Sequence, residues 1–71
     1  MKYYIIQNKY IVQFKYIAIL FKENYHRYKL IYDICYNTSC NDIVMYDSYR
    51  VLKVYKNKID LINDYPQLML V

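Results

Sequence analysis

Not one of the 71 residues is glycine, and Pro66 is the single proline. Glycine enters left-handed and otherwise strained backbone more cheaply than any other residue. A chain without it cannot build the loop that cradles a phosphate, the dinucleotide fingerprint, or the sharp elbow that presents a nucleophilic serine. Three large enzyme classes are closed by that absence alone.

Seventy-one residues make one small domain, 1–71, with no room for a second core. A chain of this size buries only ~60–65% of the surface its unfolded form exposes. The composition is 58% hydrophobic, more than such a core hides with ease. Part of the surplus is tyrosine, whose hydroxyl tolerates water. The remainder predicts an apolar surface patch kept for a partner or for a second copy of the chain.

The clearest periodicity runs over residues 48–64. Arg50, Lys53, Lys56, Asn57, Asp60, Asn63 and Asp64 recur at steps of three and four, as on one side of a helix. Val51, Leu52, Tyr55, Ile59 and Ile62 take the other side. Asp47 or Ser48 would cap this helix and Pro66 would stop it. A rival reading makes 51–55 and 59–62 a hairpin about Asn57, on the strength of their Val and Ile content. The helix is preferred because it sorts nearly every polar residue, Lys58 excepted.

The first half reads as strands. Residues 3–7 are short, β-branched and aromatic, and Asn8-Lys9 offers a turn. Residues 10–21 alternate as one long strand, and Lys22-Glu23-Asn24 makes the next turn. Residues 27–36 alternate again, with Tyr28, Leu30, Tyr32, Ile34 and Tyr36 inward and Arg27, Lys29, Asp33 and Asn37 outward. The polar cluster 37–42 is a loop, 43–46 a short fourth strand, and 67–71 a docked edge. The expected fold is α+β: a small antiparallel meander of three or four strands with one C-terminal amphipathic helix packed on it.

No catalytic constellation is evident. His26 stands between Tyr25 and Arg27, with Asp33 seven residues along the same strand, too far to orient it. Cys35, Cys40 and His26 give three candidate ligands without the paired knuckles of a zinc site, so no metal or cofactor is expected. A disulfide would close a small loop, but in a reducing cytosol both cysteines are expected as thiols. The six acidic residues are scattered. The chain is expected not to be an enzyme.

Net charge is +4, spread along the chain. The longest uncharged apolar run, 16–21, is far short of the ~18–20 residues a membrane span needs. The start MKYYIIQNKY is broken by Gln7, Asn8 and Lys9 before a signal sequence is built, so a cytoplasmic location is expected. Ile, Lys, Asn and Tyr (10, 8, 6 and 12 residues) make up half the chain, a bias written with A- and T-rich codons. That usage points to an AT-rich genome: a phage or virus of a low-GC host, an organelle, or a parasite such as an apicomplexan.

These features together predict a small viral or phage accessory protein that inhibits a host protein, such as a defence protein, by occupying its surface in the host cytoplasm. Tyr16, Ile17, Ile19, Phe21, Tyr28, Tyr49, Arg50 and Lys53 are the candidate partner contacts. A homodimer is expected through the edge or free face of the 10–21 strand. The alternatives are a structural subunit of a large assembly and a single-stranded nucleic-acid binder. In the latter, Lys15, Arg27 and Lys29 would follow phosphates while neighbouring tyrosines stack on bases.

Overall fold

The computed structural model describes residues 2–20 and 26–70. Strands β1 (Tyr3–Asn8), β2 (Lys15–Leu20), β3 (Arg27–Asp33), β4 (Thr38–Ser39), β5 (Ile43–Met45) and β6 (Tyr49–Tyr55) form one antiparallel sheet. Helix α1 (Lys58–Asp64) follows, then a 3-10 turn at Pro66–Leu70. The chain is therefore α+β, with more strands than the three or four expected. Phe21 and the turn expected at Lys22-Glu23-Asn24 lie outside the described residues.

The sheet order is β4-β3-β2-β1-β6, with β5 also on β3. Strands β4 and β5 share the outer edge of β3, β4 against Tyr32 and Asp33, β5 against Arg27 to Lys29. Central strands β1 and β2 are buried on both faces, so Ile5 and Ile6, like Ile17 and Ala18, are consecutive core residues. One core, on the helix side, gathers Ile5, Ile17, Tyr32, Tyr55 and Leu61. The other gathers Ile6, Ala18, Tyr28, Leu30 and Tyr49, and no helix contributes to it.

The second core is closed by curvature. Laid flat, β5 and β6 would stand roughly 19 Å apart, four strand spacings. Only the 3-10 helix Tyr46–Ser48 joins them, and three residues in that geometry span roughly 6 Å. The sheet must curl to bring the two together. Tyr46 stacks on Tyr28 with ring centroids 5.4 Å apart, and Tyr49 meets Tyr16 edge-on at 5.9 Å. These tyrosines roof Ile6 and Ala18, both fully buried.

Two β-bulges sort the side chains between the cores. The β2–β3 register passes from Ile17↔Tyr32 to Ala18↔Leu30, leaving Ile31 as the extra residue. Tyr32 thereby joins the helix-side core, whereas Tyr28 and Leu30 stay in the other. The single inward face expected for Tyr28, Leu30 and Tyr32 is split by that bulge. Asp33, expected outward, is buried instead. Its carboxylate accepts the backbone N–H of Cys35 (2.9 Å) and Tyr36 (3.3 Å), ending the strand in a turn at Asn37, where φ is +51°. Asparagine takes the left-handed geometry that glycine would otherwise supply.

The β1–β6 register moves from Ile5↔Lys53 to Ile6↔Val51, so Leu52 is the second extra residue. Tyr55 enters the helix-side core and Tyr49 the other.

Three further expectations fail. Residues 48–64 are not one helix: 49–55 pair with β1 as a strand, and only Lys58–Asp64 is α-helical. The rival hairpin is correct for 51–55 and wrong for 59–62. Neither Asp47 nor Ser48 caps the helix; the Asn57 side chain accepts from Asp60 N–H at 3.0 Å. The long strand expected at 10–21 is also broken. Asn8 Oδ1 accepts from the N–H groups of Tyr10 (2.8 Å) and Ile11 (2.9 Å), and Gln7 Nε2 donates to Val12 O at 2.6 Å. Those bonds turn the chain, and β2 starts only at Lys15. Finally, of the edge strand expected at 67–71, residues 67–70 form none and Val71 lies outside the described residues; Pro66–Leu70 is a 3-10 turn that brings Leu68 onto the helix-side core.

Replacing Asn57 with Ala is expected to lower stability by about 1 kcal/mol, the usual worth of a helix N-cap. Denaturant titration measures it, and an unchanged midpoint would show that the cap carries nothing.

Candidate interaction surface

Strand β6 carries a contiguous part of the exposed apolar surface that the composition anticipates; Tyr10, Val12, Tyr36, Ile43, Met45 and Ile59 are exposed elsewhere on the molecule. Its ends are anchored by Tyr49 and Tyr55, and the five residues between them are exposed. Val51, Leu52 and Val54 are 41%, 47% and 44% exposed, high for β-branched and aliphatic side chains in a seven-residue strand. Among the described residues β6 pairs with β1 alone. Its outer edge therefore carries backbone donors and acceptors that no strand among the described residues pairs. The opposite margin of the sheet is formed by β4 and β5, two and three residues long.

The register assigns the exposed side chains to faces. Arg50 pairs with Gln7 and Lys53 with Ile5, so both cations stand on the helix side. Val51 pairs with Ile6 and Val54 with Tyr4, on the other side. Lys53 Nζ donates to Asp64 Oδ2 at 3.0 Å and lies 4.7 Å from the centroid of the Tyr55 ring. The Tyr55 hydroxyl donates to the same carboxylate oxygen. This three-way contact ties the end of α1 to β6. The Tyr55 hydroxyl and then Lys53 hold the Asp64 carboxyl below its ordinary value. The Asp64 carboxylate in turn raises Lys53. An open depression beside it is lined by Val54, Lys56, Asn57, Asp60 and Asn63.

Of the partner contacts expected from sequence, Arg50 and Lys53 are on this surface and exposed. Ile17 and Tyr28 are core residues, fully buried, and Tyr49 is buried with them; they have no surface to offer a partner. Tyr16 and Ile19 are half-buried. The edge on which self-pairing was expected does not exist, because β2 lies between β1 and β3. For nucleic acid, Lys15, Arg27 and Lys29 fall on the helix side of the sheet by register with Ile17 and Ile19, whereas Tyr16 and Tyr28 face the curled core. The cations and the stacking rings are on opposite faces.

No group of three or more metal-ligating side chains occurs among the described residues. Both cysteines are free. Cys40 N–H donates to Ile31 O while Cys35 sits on the turn beyond the Asp33↔Thr38 pair, so the two lie near opposite ends of this hairpin. That separation, roughly 10 Å, exceeds the ~7 Å limit for a disulfide. The Cys35 thiol donates to Gln13 O, and burial followed by the Asp33 charge pushes the Cys40 thiol up. No helix is long and apolar enough to cross a membrane among the described residues.

Tyrosines of the curled core are expected to govern alkaline stability. Burial, with Asp33 next in effect, pushes Tyr16 up to about 12, and burial followed by Tyr46 does the same for Tyr28. The folded state thus holds these protons more tightly than the unfolded chain, whose tyrosines titrate near 10. Stability is intact below that value and falls as pH rises toward about 12. Melting temperature against pH checks this; a flat profile across that window would contradict it.

No protein-family model, no curated protein and no solved structure matches this chain.

Proposed function

We propose that this chain is a small non-enzymatic protein-binding module, and that it acts as a viral or phage accessory protein occluding the surface of a host protein in the host cytoplasm. The observation that carries the reading is the exposure of Val51, Leu52 and Val54 on a free-edged strand with Arg50 and Lys53 beside them. Exposed apolar area next to fixed cations is what a protein interface collects, its aliphatic centre dehydrating while the charges steer approach. The AT-rich coding bias supports the viral source. Mechanism is steric: a rigid sheet edge covers the target. Single-strand nucleic-acid binding fits less well, because Tyr28 is enclosed in the core and Tyr16 half-enclosed, away from the cations.

Affinity purification from the native host, with nuclease treatment and mass spectrometry, tests the reading. One stoichiometric host protein that survives nuclease is the expected result. Recovery only of nucleic acid, or of proteins released by nuclease, would overturn it.

A further inference from the structure

We propose that β6 is a docking strand, and that its occupant is an extended segment of another protein alternating acidic with apolar residues, added to the open edge as a further strand of the sheet. This inference rests on the reading of the chain as a protein-binding module. Strand addition recruits backbone hydrogen bonds along an open edge for affinity and alternate side chains for specificity. Strand β6 offers both: its outer edge has no partner strand among the described residues, and its side chains are divided by chemistry.

The bulge at Leu52 produces that division. In a regular strand Arg50 and Lys53, three apart, would face opposite ways. With Leu52 as an extra residue, they share the helix side, and Val51 and Val54 share the other. An added strand whose carboxylates and apolar side chains alternate meets cations on one face and valines on the other. Arg50 has no acidic partner in an ion pair among the described residues. Lys53 is shared with Asp64, so an incoming carboxylate competes for it.

Charge disfavours a second copy in the same seat. Antiparallel pairing of β6 with itself about Leu52 sets Arg50 and Lys53 of one copy beside those of the other on a common face. Like charges set opposite each other across two strands repel.

The test uses the full chain and a fluorescent peptide of strand length alternating Glu with Val, read by anisotropy. A Lys–Val peptide of equal length is the comparison. The expected result is binding of the Glu–Val peptide alone, weakening with salt, with affinity reduced about tenfold by Arg50→Glu. N-methylation of one alternate set of peptide amides abolishes binding, and of the other set does not. Circular dichroism confirms that the Arg50→Glu chain is folded. Equal binding of the two peptides, binding of neither, or indifference to both Arg50→Glu and N-methylation overturns the proposal. So does a doubling of mass at micromolar concentration with the peptide ignored, which assigns the edge to a second copy. Capture of the same host protein by wild-type and Arg50→Glu chains overturns the edge assignment while leaving the module reading intact.

Discussion

Leu61→Asp is expected to unfold the protein. Leu61 is 1% exposed and is the one fully buried residue of α1, packed with Ile5, Ile17, Tyr32 and Tyr55. A carboxylate there would be buried without a partner, and even truncation to alanine costs ~2–5 kcal/mol. Two residues earlier, Ile59 is 72% exposed. Ile59→Asp is therefore expected to cost no more than about 0.5 kcal/mol. Paired thermal melts decide the matter. Loss of the Ile59 variant and survival of the Leu61 variant would mean that α1 is rotated from the orientation described.

Insertion of one alanine after Leu52 is the second change with a large expected effect. Leu52 is 47% exposed, and Leu52→Ala should be nearly silent. Deleting Leu52 leaves Tyr49 and Tyr55 on opposite faces, as the bulge now does, and keeps the same partners on β1, so that variant should still fold. An added residue that the bulge does not absorb instead drives Tyr49 and Tyr55 to the same face. One of them would then leave its core, a loss comparable to truncating a buried aromatic, ~3–5 kcal/mol, with the β1–β6 register disturbed as well. Failure of the insertion variant to melt cooperatively, beside a normal Leu52→Ala, is the predicted outcome. An insertion variant as stable as wild type would show that the bulge takes up a second extra residue and leaves the cores divided.

The same bulge explains what could be read from the residues and what could not. Strands β1 and β3 and the short β5 follow from β-branched and aromatic runs bounded by polar turns, and Pro66 marks where the helical stretch ends. Strand β6 was hidden by its bulge. One extra residue in a period of two makes Arg50 and Lys53, and likewise Val51 and Val54, recur at a spacing of three, which counts as helical. Pairing with β1 decides the conformation, and no local count registers a partner strand nearly fifty residues away. The alternation of Tyr10 and Val12 misled for the opposite reason. It continues that of β2, but the Asn8 side chain has already turned the backbone.

Burial was legible only by halves. Ile17 and Tyr28 belong to runs that alternate correctly, yet whether a face is covered depends on curl, which arises from two bulges and a three-residue link. Arg50 and Lys53 could be named because charge stays at the surface. Val51 and Leu52 could not, because in a helix they would have belonged to its buried stripe, with Val54 on its flank. Their Val content, which favoured the hairpin reading, was the available signal.

Backbone amide exchange of residues 49–55, followed by NMR with and without the alternating Glu–Val peptide, tests most directly whether this chain works through an open sheet edge. In the free protein the β6 amides bonded to β1 should be protected and those on the outer edge should exchange rapidly. Peptide should slow the outer set alone. Outer amides already protected in the free chain, or left fast by a peptide that binds elsewhere, would contradict the account.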